Sequence, residues 1–194
     1  MRADVMQETT PAALNLRLAK LLGERRAVLV PGAANALSAR IVEDLGFEAL
    51  YVTGAGISNT TLALPDLGFL GLSDIFQHTA AIRQATSLPL IVDADTGFGN
   101  ALNVHHTVRA LEAAGANAVQ LEDQVMPKKC GHFASKAVVS RTEAVERVQH
   151  DTERSRSQWP PQGFGIRGEI GRRNVPAFAP CRTGHIARRH FQVV

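Results

Sequence analysis

Cysteine, aromatic side chains and long apolar runs are scarce in this chain, and each scarcity excludes something. Two cysteines in 194 residues, Cys130 and Cys181, cannot build a disulfide framework, so a reducing, cytoplasmic setting is expected. No apolar run approaches the roughly 20 residues of a membrane helix. Met1 to Pro11 lacks the apolar core of a secretion signal. No Gly-x-Gly-x-x-Gly follows the first apolar segment, which counts against a dinucleotide site. Cys130 has no second cysteine at Cys-x-x-Cys spacing, which counts against zinc.

The composition otherwise fits a soluble globular protein, at 45% hydrophobic and 20% charged residues. Its length allows one well-buried core. The net charge of +3 is unevenly spread. Residues 1–150 hold 13 Lys and Arg against 15 acids, whereas residues 151–194 hold 8 Arg, no Lys and 3 acids. The body therefore has no basic footprint for nucleic acid.

The body reads as alternating elements. Thr10 and Pro11 start a helix in which Leu14, Leu18, Leu21 and Leu22 recur to about Gly23. Ala27 to Val30 is a first strand, stopped by Pro31-Gly32. Ala34 to Leu45 is a helix with Leu37, Ile41 and Leu45 on one face and Gly46 as its stop. Ala49 to Val52 is a second strand, and residues 57–72 form a long connection of the length that often carries function. Ser73 caps a helix to about Thr86. Pro89 to Asp93 is a third strand, Asn103 to Ala114 a helix, and Ala118 to Leu121 a fourth strand. Ser140 and Glu143 form a capping box for a helix to about His150. Short apolar strands without alternation indicate a parallel sheet covered on both faces. Repeated β-α units leave a doubly wound sheet or a (β/α)8 barrel. A barrel takes about 250 residues, so about four of its units are present here.

The pattern stops near residue 150. Residues 151–194 carry Trp159-Pro160-Pro161, scattered glycines and eight arginines. They read as an irregular Arg/Pro/Gly-rich tail with no strand ending in acid. Three accounts compete: a poorly packed tail, a basic arm for a polyanion, and a reading-frame change. The all-arginine basic content favours the third. No aromatic residues interleave with the arginines as a stacking platform requires, which disfavours nucleic acid.

The stretch from Leu90 to His132 carries the chemistry. One strand ends in Asp93-Ala94-Asp95, the next in Glu122-Asp123-Gln124, and the loop after it bears Lys128, Cys130, Gly131 and His132. In parallel α/β proteins the C-terminal strand ends share the functional face. Asp93 and Asp95 repel unless a cation or proton sits between them, and an oxygen-liganded Mg²⁺ is the simple answer. Glu122 is placed to hold a water on such an ion. Acids at strand ends also cap helices or sit in solvent; the grouping of three on successive strands favours a site. A thiol beside lysine and histidine has a lowered pKa and can move protons. A surface loop with a chance cysteine is the alternative, and His105-His106 is read as surface.

These residues resemble the isocitrate lyase/phosphoenolpyruvate mutase superfamily. The resemblance rests on Val92-Asp93-Ala94-Asp95-x-Gly-Phe-Gly, Leu121-Glu122-Asp123-Gln124 and Lys128-Lys129-Cys130-Gly131-His132. Thr53-Gly54-Ala55-Gly56 and Leu64-Pro65-Asp66-Leu67-Gly68 match too, so it covers roughly residues 12–148. The Lys-Lys-Cys-Gly-His run is specific to the carbon–carbon lyase branch, the 2-methylisocitrate and 2,3-dimethylmalate lyases.

The resemblance implies a (β/α)8 barrel and Mg²⁺, with Mn²⁺ as a substitute. Asp93 would be the ligand, directly or through water, supported by Asp95, Asp66 and Glu122. It implies that Thr53, Gly54 and Ala55, with Gly131, bind substrate; the family often has Ser where Thr53 stands. Cys130 would be the general acid, tuned by Lys128 and His132, on a loop that closes as a lid. The implied reaction is retro-aldol cleavage of a 2-hydroxy di- or tricarboxylate to a 2-oxo acid and a carboxylate. Oxaloacetate hydrolysis or decarboxylation, and a non-catalytic remnant, are the alternatives. The family's partners are other copies of itself, in a homotetramer. The family's fifth strand, with its Ala-Arg-Thr-Asp type ending, and the units after it have no counterpart here.

Overall fold

A computed structural model describes residues 9–24, 26–129 and 137–147, together with the backbone of three short strands farther on. Helix α1 is Pro11–Gly23. Thr10 Oγ1 accepts from Ala13 N and proline stands in the first turn, as the sequence predicts. Strand β1 is Gly32–Ala33, α2 is Ala36–Asp44 and β2 is Leu50–Val52. A short helix α3, Gly54–Ile57, runs into a wide helical turn, Ser58–Leu62. Then come α4, Leu72–Ala85; β3, Leu90–Asp93; α5, Ala101–Ala113; β4, Ala118–Leu121; and α6, residues 141–147.

All neighbouring strands in the main sheet are parallel, in the order β1-β2-β3-β4-β5, with β5 at Gly165–Gly168. Sequence order and spatial order coincide, so the sheet has no point where the winding reverses. That selects the barrel type over the doubly wound type. Two two-residue strands, β6 at Ala177–Phe178 and β7 at Ala187–Arg188, pair antiparallel.

Alternate strand residues take opposite faces. Leu50, Val52, Leu90, Val92 and Val119 pack with Ile75, Ile82, Val104, Val108 and Leu111 of the outer helices. Tyr51, Ile91 and Ala118 pack on the other face against Leu18 and Leu21 of α1 and against Val28 and Val30. Both faces are covered, as the unbroken apolar strands indicate. Burying each large aliphatic side chain in such a layer contributes on the order of 1.5–3 kcal/mol.

Five sequence expectations need correction. The first strand is displaced: residues 27–31 are extended, with Val28 and Val30 buried, but the parallel ladder forms at Gly32–Ala33. Apolarity marked the buried stretch; the ladder forms where β2 lies alongside. Leu37, Ile41 and Leu45 do share a face of α2, but that face is exposed (72%, 51% and 70%), and the helix packs through Ala39 and Val42. Small residues let α2 approach its neighbour closely. Helix α4 is capped by Gly71, whose N–H donates to Asp74 Oδ2, rather than by Ser73. Helix α5 begins at Ala101 because Asn100 Oδ1 accepts from the Leu102 and Asn103 amides. The tail, read as irregular, contributes a strand to the sheet: β5 pairs with β4 from Ala118↔Gly165 to Leu121↔Gly168. The β4 edge offers a row of backbone donors and acceptors that needs no apolar pattern from its partner.

The turn after β3 depends on glycine at position 97. Gly97 has φ of +85°, and a Cβ there would stand 2.4 Å from Val104 Cγ2. Gly97→Ala therefore meets both left-handed strain and overpacking, and is expected to lower unfolding free energy by roughly 2–4 kcal/mol. Urea denaturation checks this; a loss below about 0.5 kcal/mol, the usual surface range, contradicts the placement of this turn.

Candidate active site

Strand parity aims the acids. Leu90 and Val92 turn to the helical layer, so Ile91 and Asp93 face the opposite way. Asp93 ends β3 opposite Gln120 of β4. On β4 the same parity runs through Ala118 and Gln120 to Glu122, and on β2 through Tyr51 to Thr53. These residues meet at the C-terminal ends of β2, β3 and β4.

Asp93 is held by two backbone donors. Its Oδ1 accepts from Asp95 N at 3.1 Å and its Oδ2 from Gly54 N at 3.3 Å. A Cβ on Gly54 would lie 3.1 Å from that Oδ2, so glycine lets the carboxylate rest against the start of α3. Asp95 stands past the strand with φ of 53°. Its carbonyl accepts from Glu122 N at 2.8 Å, which joins the ends of β3 and β4.

Lys128 supplies the cation. Its side chain is 3% exposed, and Nζ lies 2.9 Å from both oxygens of Asp66 and 3.4 Å from Asp95 Oδ2. Asp66 reaches it from the connection after β2. Ser58 Oγ pins that connection, lying 3.1 Å from Leu64 O and 3.3 Å from Pro65 O.

Burial pushes the Asp95 carboxyl up to about 6, against the pull of Lys128 and with repulsion from Asp93 added. Burial likewise pushes Glu122 up to about 7, opposed by Lys128 and reinforced by Asp93 and Asp95. Asp93 is raised by burial, again with Lys128 opposing. For Lys128 burial disfavours the charge, but Asp95, Asp93 and Asp66 together hold the ammonium above its ordinary range.

Gln124 is a site residue that motif reading quoted without assigning a role. Its Nε2 donates to Glu122 Oε2 at 2.6 Å and to Lys129 O at 3.1 Å, while its Oε1 accepts from Lys129 N at 3.1 Å. It thus clamps the backbone beside Lys128 in the manner of a neighbouring strand. The loop base is closed by Val125 N donating to Ala137 O and Val139 N donating to Asp123 O, both at 2.9 Å. Cys130, Gly131 and His132, assigned from the sequence to proton transfer and binding, lie outside the described residues. His106 is exposed, whereas His105 is half-buried with its ring nitrogens covered.

The all-oxygen donor set suits a hard divalent cation. Asp95 Oδ1 is buried without a hydrogen-bond partner among the described residues, an acceptor available to a ligand. No three His, Cys, Asp or Glu side chains among the described residues stand as a ready metal cluster, and the cation they gather round here is the Lys128 ammonium. A separate groove of about 690 Å³ lies at the other end of the strands. Its charged groups are engaged locally: Arg83 Nη1 donates to Leu88 O at 2.9 Å, and Glu43 accepts from Ser87.

The family model described as phosphoenolpyruvate phosphomutase matches residues 18–159. The chain belongs to the phosphoenolpyruvate mutase/isocitrate lyase superfamily. Its superfamily relatives include a 2-methylisocitrate lyase of Aeropyrum pernix, 50% identical over 69% of this chain and 43% of that protein. Another is a 2,3-dimethylmalate lyase of Eubacterium barkeri, 46% identical over 69% of this chain and 46% of that protein. Among solved structures, phosphonopyruvate hydrolase with oxalate and Mg²⁺ superposes with a TM-score of 0.68 at 33% identity, covering 80% of this chain and 52% of that one. The chain spans about half the length of the superfamily members it matches.

The raised carboxylates set a pH dependence with a definite sign. Asp95 at about 6 and Glu122 at about 7 bind protons more tightly in the folded chain than in the unfolded one. Folding therefore loses stability as pH rises through that window, while Lys128 stays charged in both states. In metal-free buffer the melting temperature is expected to fall from about pH 5 to about pH 8, and Asp95→Asn should flatten part of the slope. A melting temperature that rises over this range contradicts the burial described.

Proposed function

We propose that this chain carries the metal and proton-transfer part of a Mg²⁺-dependent carbon–carbon lyase site acting on a 2-hydroxy di- or tricarboxylate of the 2-methylisocitrate or 2,3-dimethylmalate kind. The reading is supported above all by the buried acid–lysine cluster leading directly into Lys128-Lys129-Cys130-Gly131-His132. Both named relatives are lyases of such acids.

Asp93 and Asp95, supported by Asp66 and Glu122, would hold Mg²⁺ or Mn²⁺, which when bound supplies positive charge for the developing oxyanion and orients the substrate. Thr53, Gly54 and Ala55 border the 2-oxo-acid end at the start of α3; the Thr53 and Gly54 amides donate to Ala33 O and Asp93 Oδ2, so Ala55 supplies the backbone N–H for the substrate there, and Gly131 adds a donor from the loop. The substrate hydroxyl gives up its proton, and Glu122 at the end of β4 is the carboxylate placed to accept it. The C2–C3 electron pair then passes into the departing carboxylate, and C2 becomes the carbonyl of the 2-oxo acid. The Cys130 thiol delivers a proton to the departing carbon, and Lys128 and His132 set the thiol's acidity. The loop bearing them closes as a lid and excludes water. A cytoplasmic homo-oligomer is part of the same reading; among the described residues no helix is long and apolar enough to cross a membrane.

Turnover of 2-methylisocitrate and 2,3-dimethylmalate by the full chain, followed through 2-oxo acid release with and without Mg²⁺, tests the proposal. Cys130→Ala is expected to lower the rate by at least about 100-fold, the scale of general acid catalysis. Unchanged turnover in that variant removes the role of the thiol. Turnover of oxaloacetate alone would move the chain to the hydrolase branch, and the absence of any turnover with all three acids would leave the lyase reading without support.

A further inference from the structure

We propose that Arg147 is a positioning residue for the turn that carries Asp95, holding it from α6, the helix that follows the loop after β4. The inference rests on the reading that Asp93 and Asp95 hold the metal. Residues 94–98 have a demanding backbone, with φ of 53° at Asp95, +85° at Gly97 and 59° at Phe98. Left-handed non-glycine residues persist only where their surroundings over-determine them. Gly97 N donates to Ala94 O and Glu122 N to Asp95 O, and Thr107 Oγ1 donates to Gly97 O at 3.1 Å. Those bonds leave the Thr96 carbonyl, and Arg147 Nη1 donates to it at 3.4 Å.

The guanidinium is placed for more than a surface pair. Its Nη2 meets Glu143 Oε1 at 2.7 Å, one turn back on α6, an arrangement an exposed arginine could make equally well. Yet the side chain is only 11% exposed, and Nε is buried without a hydrogen-bond partner among the described residues. Burying a guanidinium with an orphaned donor is unfavourable unless the remaining contacts matter. The turn that Arg147 reaches has two buried acceptors, Thr96 Oγ1 and Asp95 Oδ1, without hydrogen-bond partners among the described residues. A fixed carbonyl at the residue after Asp95 holds the carboxylate in register with Asp93. The same bond links α6, and with it the end of the loop from Lys128 to Val139, to the acid cluster.

The test uses the full chain and two readouts. Amide exchange by NMR in metal-free protein should show the Gly97 and Glu122 amides exchanging at least about 10-fold faster in Arg147→Met, with the amides of β2 unchanged. Mg²⁺ affinity by calorimetry should fall about 10- to 100-fold, the usual scale for a group that orients a metal ligand. Arg147→Lys should recover part of both effects, and Glu143→Gln should leave both within about twofold, since it spares the Thr96 bond. Wild-type exchange at Gly97 and Glu122 overturns the proposal, as does uniform acceleration through β2, which would mark a merely structural arginine. If the unmodified chain binds no Mg²⁺ while Arg147→Met still frees those two amides, the metal reading fails and the positioning role stands.

Discussion

The buried Lys128 ammonium is the interaction on which the rest of the site depends. Carboxylates crowded at neighbouring strand ends repel one another, and burial raises the cost of each charge. One cation, 2.9 Å from both oxygens of Asp66 and 3.4 Å from Asp95, offsets that cost and draws three chain segments together. The connection after β2 supplies Asp66, the turn after β3 supplies Asp95, and the loop after β4 supplies the lysine. Gln124 then fixes the backbone next to Lys128, so the ion pair also sets the starting point of the loop carrying Cys130.

The sheet makes this convergence possible. With parallel strands in sequential order, every strand ends on the same side, and the two-residue period sends Thr53, Asp93 and Glu122 to the same face. The outer helices bury the other face through Ile75, Ile82, Val104 and Leu111, which leaves the polar face free for chemistry at its C-terminal rim. At this rim the strained backbone is the turn at Asp95, where a left-handed residue swings a second carboxylate toward the first. The pKa values follow: Asp95 and Glu122 rise to about 6 and 7 because they are buried beside other acids, while the lysine that opposes the rise becomes harder to deprotonate.

Much of this was legible locally. Thr10 before Pro11, Gly46 after α2 and the apolar runs of β2 to β4 marked their elements within a residue or two. The acids at the ends of β3 and β4 marked the functional rim. What misled was apolarity taken as burial. Leu37, Ile41 and Leu45 form a regular stripe but face outward, because α2 approaches its neighbour through Ala39 and Val42. The ladder of β1 forms at Gly32–Ala33, which carries no strand signal, while the apolar Val28 and Val30 beside it pack against α1. Strand β5 escaped notice because an edge-pairing segment such as Gly165–Gly168 needs only its backbone.

The sequence by itself determined the helices α1, α2, α4 and α5, the strands β2 to β4 and which strand ends carry acid, since caps, turns and periodicity act over a few residues. Tertiary structure alone decided who meets whom. Lys128 and Asp66 are 62 positions apart, and Arg147 and Thr96 are 51 apart, so nothing local specifies either pair. Arg147 with Glu143 even has the spacing of an ordinary surface ion pair. Those pairings, and the raised carboxylates with them, arise from packing and loss of water around the strand ends, quantities that exist only once the whole sheet has assembled.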